Sequence, residues 1–208
     1  MQLVERDYII IRELSRWRFC LGRHIRSLAG FPSIRTTDRR LKILIQAGYI
    51  ERRKIIYGVP SIYTLTAKGL ALINKPPSVG KIRIEHITHD IAVLDSVIYF
   101  INTRNIKLSD IITEKQMHGL DGFGIRRHQP DYIFKNINTC VEVELTLKAK
   151  SRLSKNIENN FKAYDNQIWI VPNTEHKIRE ILSKAKNIYT GIEIIEFEDI
   201  QNHVRELI

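Results

Sequence analysis

Asp131, Glu142 and Glu144 are the side chains of this sequence whose types and spacing come closest to stating a chemistry. Asp131 follows Pro130 and opens a short apolar run, Tyr132-Ile133-Phe134. A mostly polar segment then leads into Val141-Glu142-Val143-Glu144-Leu145-Thr146-Leu147-Lys148, which alternates without a break. As a strand it puts Val141, Val143, Leu145 and Leu147 on one face and Glu142, Glu144, Thr146 and Lys148 on the other. Two glutamates on one face, beside an aspartate that begins the partner strand, repel one another, so a cation is the natural third party. Three carboxylates converging on one point suit a hard divalent ion, Mg²⁺ or Mn²⁺. The plainer alternative makes the glutamates the solvated side of a half-buried antiparallel sheet.

An aspartate after a proline, with Glu142-x-Glu144 eleven residues on, resembles the PD-(D/E)xK nuclease core. Together with the basic N-terminal segment described below, nearly the whole chain resembles the replication-relaxation family, which includes the MOBC-class relaxases of mobile plasmids. One position departs from the pattern: the lysine expected two residues after the acid is replaced by Glu144, or by Thr146 if Glu144 is taken as the acid. The resemblance implies an α+β or α/β chain, an N-terminal winged helix-turn-helix followed by a restriction-endonuclease-like mixed-sheet domain. It implies nicking at the transfer or replication origin of a mobile element, with Asp131, Glu142 and Glu144 holding the metal that polarises the scissile phosphate. Double-stranded DNA is then the partner, with other mobilisation or replication proteins and a second copy of the chain as further expected partners. Covalent attack by a tyrosine would fall to Tyr164 or Tyr132, each of which reads equally as a core aromatic. The alternative is a non-catalytic DNA-binding regulator, or an accessory protein with a degenerate nuclease fold, for which the absent lysine argues.

Two lysines are candidates for the vacant role of a fixed positive charge near the phosphate. Lys148 has the right strand parity, but four residues past Glu144 it lies about 13 Å up an extended strand. Lys162 belongs to the helix expected after that strand, which folds back across the sheet and could present it at the carboxylates.

The 208 residues allow one large domain or two small ones, and a hydrophobic content of 43% is ample for a core. Lys and Arg outnumber Asp and Glu by 33 to 23, a net charge of +10, which favours a polyanion. The N-terminal MQLVERDYII has charges where a signal peptide needs an apolar core, and no apolar run is long enough for a membrane span. Cys20 and Cys140 are isolated, so neither a disulfide framework nor a zinc knuckle is indicated, and the cytoplasm is the expected compartment. Internal repeats, a GxxxxGK[ST] loop, HExxH and the His-hydrophobic-His signature of the commoner relaxases are all absent.

The elements that must position these residues follow from periodicity. Residues 1–75 read as the winged helix. Helices are expected at Glu5 to Trp17, at Leu21 to Leu28 with Gly30 as its stop, and from a Ser33 cap to Gly48 with Ile34, Leu41, Leu44 and Ile45 inward. Arg35, Arg39, Arg40 and Lys42 fall on the other faces of that third helix. A strand over residues 49–56, a turn at Gly58-Val59-Pro60 and a return at 62–65 make the wing, with Arg52, Arg53 and Lys54 on it, and Thr66 caps a short helix. The third helix would enter the major groove while the wing touches phosphates.

Residues 76–82, with Pro76, Pro77 and Gly80, read as a linker, and 83–208 as the second domain. It opens with a helix bearing Ile84, Ile87, Ile91, Leu94, Ile98 and Ile101, and His86, His89 and Asp90 on a neighbouring stripe. A strand at 110–114, a glycine-bearing mobile loop at 117–128 and the two acidic strands follow. A helix at 148–164, a buried strand at 168–171, a helix at 177–185 and a strand at 192–197 complete the order.

Overall fold

The structure, a computed structural model, describes residues 2–55, 57–58, 60–76, 82–121 and 127–207. Part of the expected linker (Pro77 to Lys81), the end of the expected wing strand (Ile56), Val59 of the turn, and Gly122, Gly124 and Arg126 of the glycine-bearing loop lie outside the described residues. The chain is a mixed α and β fold that divides into two compact units, the first running through Ile98 and the second over Tyr99–Leu207.

In the first unit, helix α1 spans Glu5–Trp17 and buries Ile10, Ile11, Leu14 and Trp17, the apolar residues that recur at helical spacing. Strand β1 (Cys20–Leu21) and helix α2 (Gly22–Leu28) follow, then α3 (Ile34–Gln46). The Ser33 hydroxyl caps α3 by accepting the Thr36 N–H at 3.2 Å, and Gly48 at φ 75° takes the left-handed turn that ends it. Strands β2 (Ile50–Arg53) and β3 (Ile62–Leu65) form an antiparallel hairpin, and β1 pairs the other edge of β3, giving the order β1-β3-β2. Thr66 caps the short α4 (Ala67–Ala71). Helix α5 (Ile87–Thr103) carries Ile87 into a core with Phe19, Leu21 and Ile62.

Three expectations change here. The two-residue β1 is too short to show alternation and was not expected as a strand. Ile34 is 50% exposed, because as the first residue of α3 it precedes the turn that meets the core. Arg40 does not project outward: its guanidinium grips the fully buried Asp7 with two nitrogens and also donates to the Gln2 carbonyl at 3.2 Å. Asp7 in turn accepts the Val4 N–H at 2.8 Å, so this pair binds α3 to the start of α1.

A second buried carboxylate organises the same unit. Asp95 of α5 receives a two-pronged contact from Arg23 at 2.8 and 3.1 Å and one from His24 Nε2 at 2.9 Å. His24 Nδ1 accepts the Leu21 N–H at 3.2 Å, so the ring is neutral with its proton on Nε2. Burial pushes the His24 ring below its ordinary value, against the pull of Asp95. Burial works to raise Asp95, but the His24 and Arg23 bonds prevail and hold it low.

The second unit is built on a five-stranded sheet of β4 (Ile111–Thr113), β5 (Tyr132–Phe134), β6 (Thr139–Val143), β7 (Asn166–Val171) and β8 (Ile192–Glu196), in that order. The β4, β5 and β6 pairings are antiparallel; β6, β7 and β8 run parallel. Helix α7 (Lys150–Ala163) connects β6 to β7 and α8 (His176–Lys186) connects β7 to β8, as parallel pairs require. Leu153 and Ile157 of α7 and Ile178 and Leu182 of α8 pack on Trp169 and Val171, so both helices cover one face. Phe100 meets Phe134 on the other face at 5.3 Å between ring centroids. The five-residue α6 (Glu114–His118), capped by Thr113, and α9 (Phe197–Glu206) complete the unit. Among the described residues no helix is long and apolar enough to cross a membrane.

The strand expected over 141–148 is instead Thr139–Val143, buried on both faces. Continuing the pairings beyond their ends puts Pro130 beside Val143 on one side, and Pro172 follows Val171 on the other. Neither proline has an N–H for the ladder, so β6 is released after Glu144 donates to the Ile170 carbonyl at 3.0 Å. Leu145 to Lys148 keep an alternating sequence but are not strand.

His24 gives the first unit an acid-sensitive stability. Its folded-state value lies below 6.5, so the unfolded chain takes up the proton first and stability falls as pH drops below about 6.5. Asp95 adds a further loss only below about 3.8, as pH falls toward its lowered value. In a Trp169→Phe background, Trp17 fluorescence in urea should report a less stable first unit at pH 5 than at pH 7. His24→Gln should flatten that difference, and an undiminished slope in this variant would refute the assignment.

Candidate acidic site on the central strand

Glu142 lies on β6, the middle strand of the sheet, and is 8% exposed. It pairs in register with Trp169, so its side chain leaves the face that α7 covers. Two side chains meet it there: His128 Nε2 at 2.7 Å and Asn160 Nδ2 at 2.9 Å, both on Oε1. Asp131 stands at the end of the neighbouring strand, opposite Glu142 by continued register, and its Oδ2 accepts the Val143 N–H at 2.7 Å.

The electrostatics follow from this placement. Burial raises the Glu142 carboxyl, and the nearby Asp131 charge adds to the rise; the His128 and Asn160 bonds oppose it. Burial pushes His128 toward the neutral ring, yet the Glu142 bond and the Glu142 and Asp131 charges win and raise it, with Arg152 acting against them. The result is a buried acid held by an imidazole and an amide, beside a second acid whose own oxygen is tied to the backbone.

The sequence-derived candidates separate accordingly. Asp131 and Glu142 come together. Glu144 is the first residue past β6, and among the described residues no group of three or more His, Cys, Asp or Glu side chains is arranged to hold a metal ion. Asp131 and Glu142 alone match the protein share of many Mg²⁺ sites, in which one or two carboxylates are completed by water and phosphate oxygens. Lys162 is not at the carboxylates: α7 turns Leu153, Asn156, Ile157 and Asn160 inward, and Lys162, about 200° around the helix from Asn160, pairs with Glu158 on the outer face. Lys148 is exposed in the segment between β6 and α7.

Tyr132 is fully buried and pairs in register with Val141, so it points to the face opposite Glu142, where it packs edge-on to Phe134 at 5.6 Å. It packs as a core residue. Tyr164 directs its hydroxyl at the Met117 sulfur, 3.8 Å away, and burial with the Cys140 and Glu142 charges pushes it up to about 12, opposite to what an activated phenol needs. His86, His89 and Asp90 form no metal cluster among the described residues; His89 Nδ1 lies 3.6 Å from Asp90.

His128 and Asn160 were missed. Their signal was available for α7: Asn156 and Asn160 interrupt the stripe of Leu153 and Ile157, and polar residues at core spacing mark a buried partner. No comparable pattern marks His128.

In the first unit, Arg35, Arg39 and Lys42 are exposed on α3 at i, i+4 and i+7, one continuous stripe. Arg52, Arg53 and Lys54 are exposed along and just beyond β2; Arg53 pairs with Glu51 at 2.6 Å and Lys54 Nζ lies 5.6 Å from the centre of the exposed Tyr57 ring. No protein-family model matches the chain, no curated protein matches it, and no solved structure matches its fold.

Removing donors from Glu142 should cost more than removing its charge. His128→Ala leaves a buried carboxylate short of a partner and should lower stability by about 2–3 kcal/mol. Glu142→Gln keeps an oxygen for both donors and relieves repulsion from Asp131, so it should melt at or above the parent in EDTA. Denaturant titration checks both, and a Glu142→Gln midpoint well below that of His128→Ala would contradict the account.

Proposed function

We propose that the chain is a sequence-specific double-stranded-DNA-binding protein whose first unit is a winged helix. α3 is its reading helix and the β2–β3 hairpin its wing. The observation that carries this reading is the stripe of Arg35, Arg39 and Lys42 on α3, with Arg52, Arg53 and Lys54 on the hairpin. A helix with a free cationic stripe suits base edges and phosphates of the major groove, while hairpin cations suit the backbone. Three helices with a sheet ordered β1-β3-β2 agree with the winged-helix plan. The net charge of +10 supports a polyanion as partner.

The second unit, in this reading, is a nuclease-like domain of the PD-(D/E)xK kind that nicks DNA at a transfer or replication origin of a mobile element in the cytoplasm. The mixed sheet with Asp131 and Glu142 on adjoining strands supports it. Asp131 and Glu142 would hold Mg²⁺ or Mn²⁺, which when bound polarises a phosphate and acidifies water. His128 and Asn160 orient the Glu142 carboxylate, and the walls of the sheet exclude bulk water from it. A second reading, a non-catalytic regulator or accessory protein on the same fold, is favoured by the position of Lys162 on the outer face of α7.

Relaxation of a supercoiled plasmid carrying the native element separates the two. Nicked circles that form with Mn²⁺, vanish in EDTA and are lost in Glu142→Gln support the nuclease; DNA binding with no nicking under any metal supports the regulator. For the first unit, fluorescence anisotropy with duplex DNA should show Arg35→Ala and Arg39→Ala weakening binding by about 1–3 kcal/mol each at an unchanged melting temperature. Lys54→Ala should weaken all duplexes evenly and reduce the salt slope by about one. Arg40→Ala should instead lower the melting temperature, since it strands Asp7. Affinity untouched in Arg35→Ala, Arg39→Ala and Lys54→Ala would remove the winged-helix reading.

A further inference from the structure

Within the first unit, α2, α3 and the β2–β3 hairpin flank an open cavity of about 260 Å³. Three arginines line it: Arg23, Arg26 and Arg52. Arg23 is committed to Asp95. Arg26 and Arg52, from α2 and β2, make no hydrogen bond or ion pair to another side chain among the described residues. The wall adds the hydroxyls of Ser61 and Tyr63, and one carboxylate, Asp38. Tyr63 is 6% exposed and feels the charges of both Arg52 and Asp38.

The inventory is rich in donors and poor in acceptors. Two uncommitted guanidiniums and two hydroxyls face one carboxylate, so the cavity attracts an anion. Guanidinium forks match the oxygens of phosphate, and apolar neighbours such as Leu21 and Pro60 lower the local dielectric and strengthen the attraction. A carboxylate at the edge of such a site suits a phosphate ester carrying a donor group, such as a base amino group or a sugar hydroxyl, better than bare phosphate.

We propose that this cavity is a phosphate-ester site in which Arg26 and Arg52 hold the anion from different elements while Ser61 and Tyr63 donate to it. The ester has two sources, an internucleotide phosphate of bound DNA or a free nucleotide. The first source rests on the DNA-binding reading above; the second is independent of it.

The test uses the full chain, the variants Arg26→Gln and Arg52→Gln, and three probes: inorganic phosphate, a nucleoside monophosphate and a labelled duplex. Calorimetry follows the first two and anisotropy across a salt series follows the duplex, with thermal melting as the check on folding. If the ester is the DNA backbone, Arg26→Gln weakens all duplexes evenly and lowers the salt slope by about one, and the small probes do not bind. If it is a free nucleotide, the monophosphate binds the parent more tightly than inorganic phosphate and Arg26→Gln weakens it by about tenfold or more. That second result stands even if the parent binds no duplex, so it survives failure of the DNA reading. Arg52→Gln should reproduce the loss, and it decides the matter if Arg26→Gln melts early. The proposal is overturned by a parent that binds none of the probes, or by folded variants that bind them all as the parent does.

Discussion

A carboxylate on a strand buried on both faces has no water to solvate it, and Glu142 is such a group. Its charge must be met from the protein, and the elements that meet it are those that define the second unit. Asn160 reaches it from the crossover helix α7 and His128 from the segment leading into β5. Asp131 beside it ties the Val143 N–H, which fixes how β5 and β6 end together. Apolar packing of Leu153 and Ile157 on Trp169 could tolerate small slides of α7 over the sheet. The Asn160 bond cannot, because an unmet buried charge costs more than a slightly worse apolar fit. The polar contact thus sets the register of a helix that hydrophobic burial alone would leave loosely specified.

The same rule divides the arginines of the first unit. Arg40 and Arg23 are each bound by two nitrogens to a buried aspartate, Asp7 and Asp95, and serve the fold. Arg35 and Arg39 have no carboxylate partner among the described residues and remain available to a ligand. A helix of thirteen residues therefore carries both kinds, one face latched to α1 and another presented outward. Net charge alone says only that a polyanion is attractive; the buried pairs say which cations are free to meet it.

Much of this was legible in the sequence, for identifiable reasons. α1 and α3 announced themselves by helical spacing of Ile9, Ile10, Leu14 and Trp17, by the Ser33 cap and by Gly48. The apolar run Ile168 to Val171 became β7, buried as its composition required. The Asp131–Glu142 neighbourhood was legible too, because a Pro-Asp start and a returning Val-Glu-Val run impose an antiparallel pair. The strand's end was not, since alternation continues to Lys148 while the ladder is stopped by Pro130 and Pro172, which flank the neighbouring strands. Arg40 and Lys162 were misplaced for a related reason. Each sits on a helix whose inward face is decided by a partner distant in sequence, Asp7 for α3 and the sheet for α7.

The Glu142 network bears on whether the second unit can do chemistry, because the donors that stabilise the carboxylate also compete for it. A charge-assisted hydrogen bond contributes about 1.5–3 kcal/mol, so a cation that had to displace both His128 and Asn160 would bind poorly. The geometry removes that conflict. Both donors land on Oε1, which leaves Oε2 as the oxygen through which Glu142 would meet a cation or a water held by phosphate. Asp131 is anchored beside it, its Oδ2 accepting the Val143 N–H. One oxygen of Glu142 is thus spent on orientation, the arrangement in which outer hydrogen bonds fix a ligand rather than block it. Burial, and after it the repulsion from Asp131, raises Glu142, and a divalent ion would relieve that repulsion. Hydrogen bonding of Glu142 is therefore no argument against a nuclease. The non-catalytic alternative rests instead on the motif lysine, since Lys162 pairs with Glu158 on the outer face of α7.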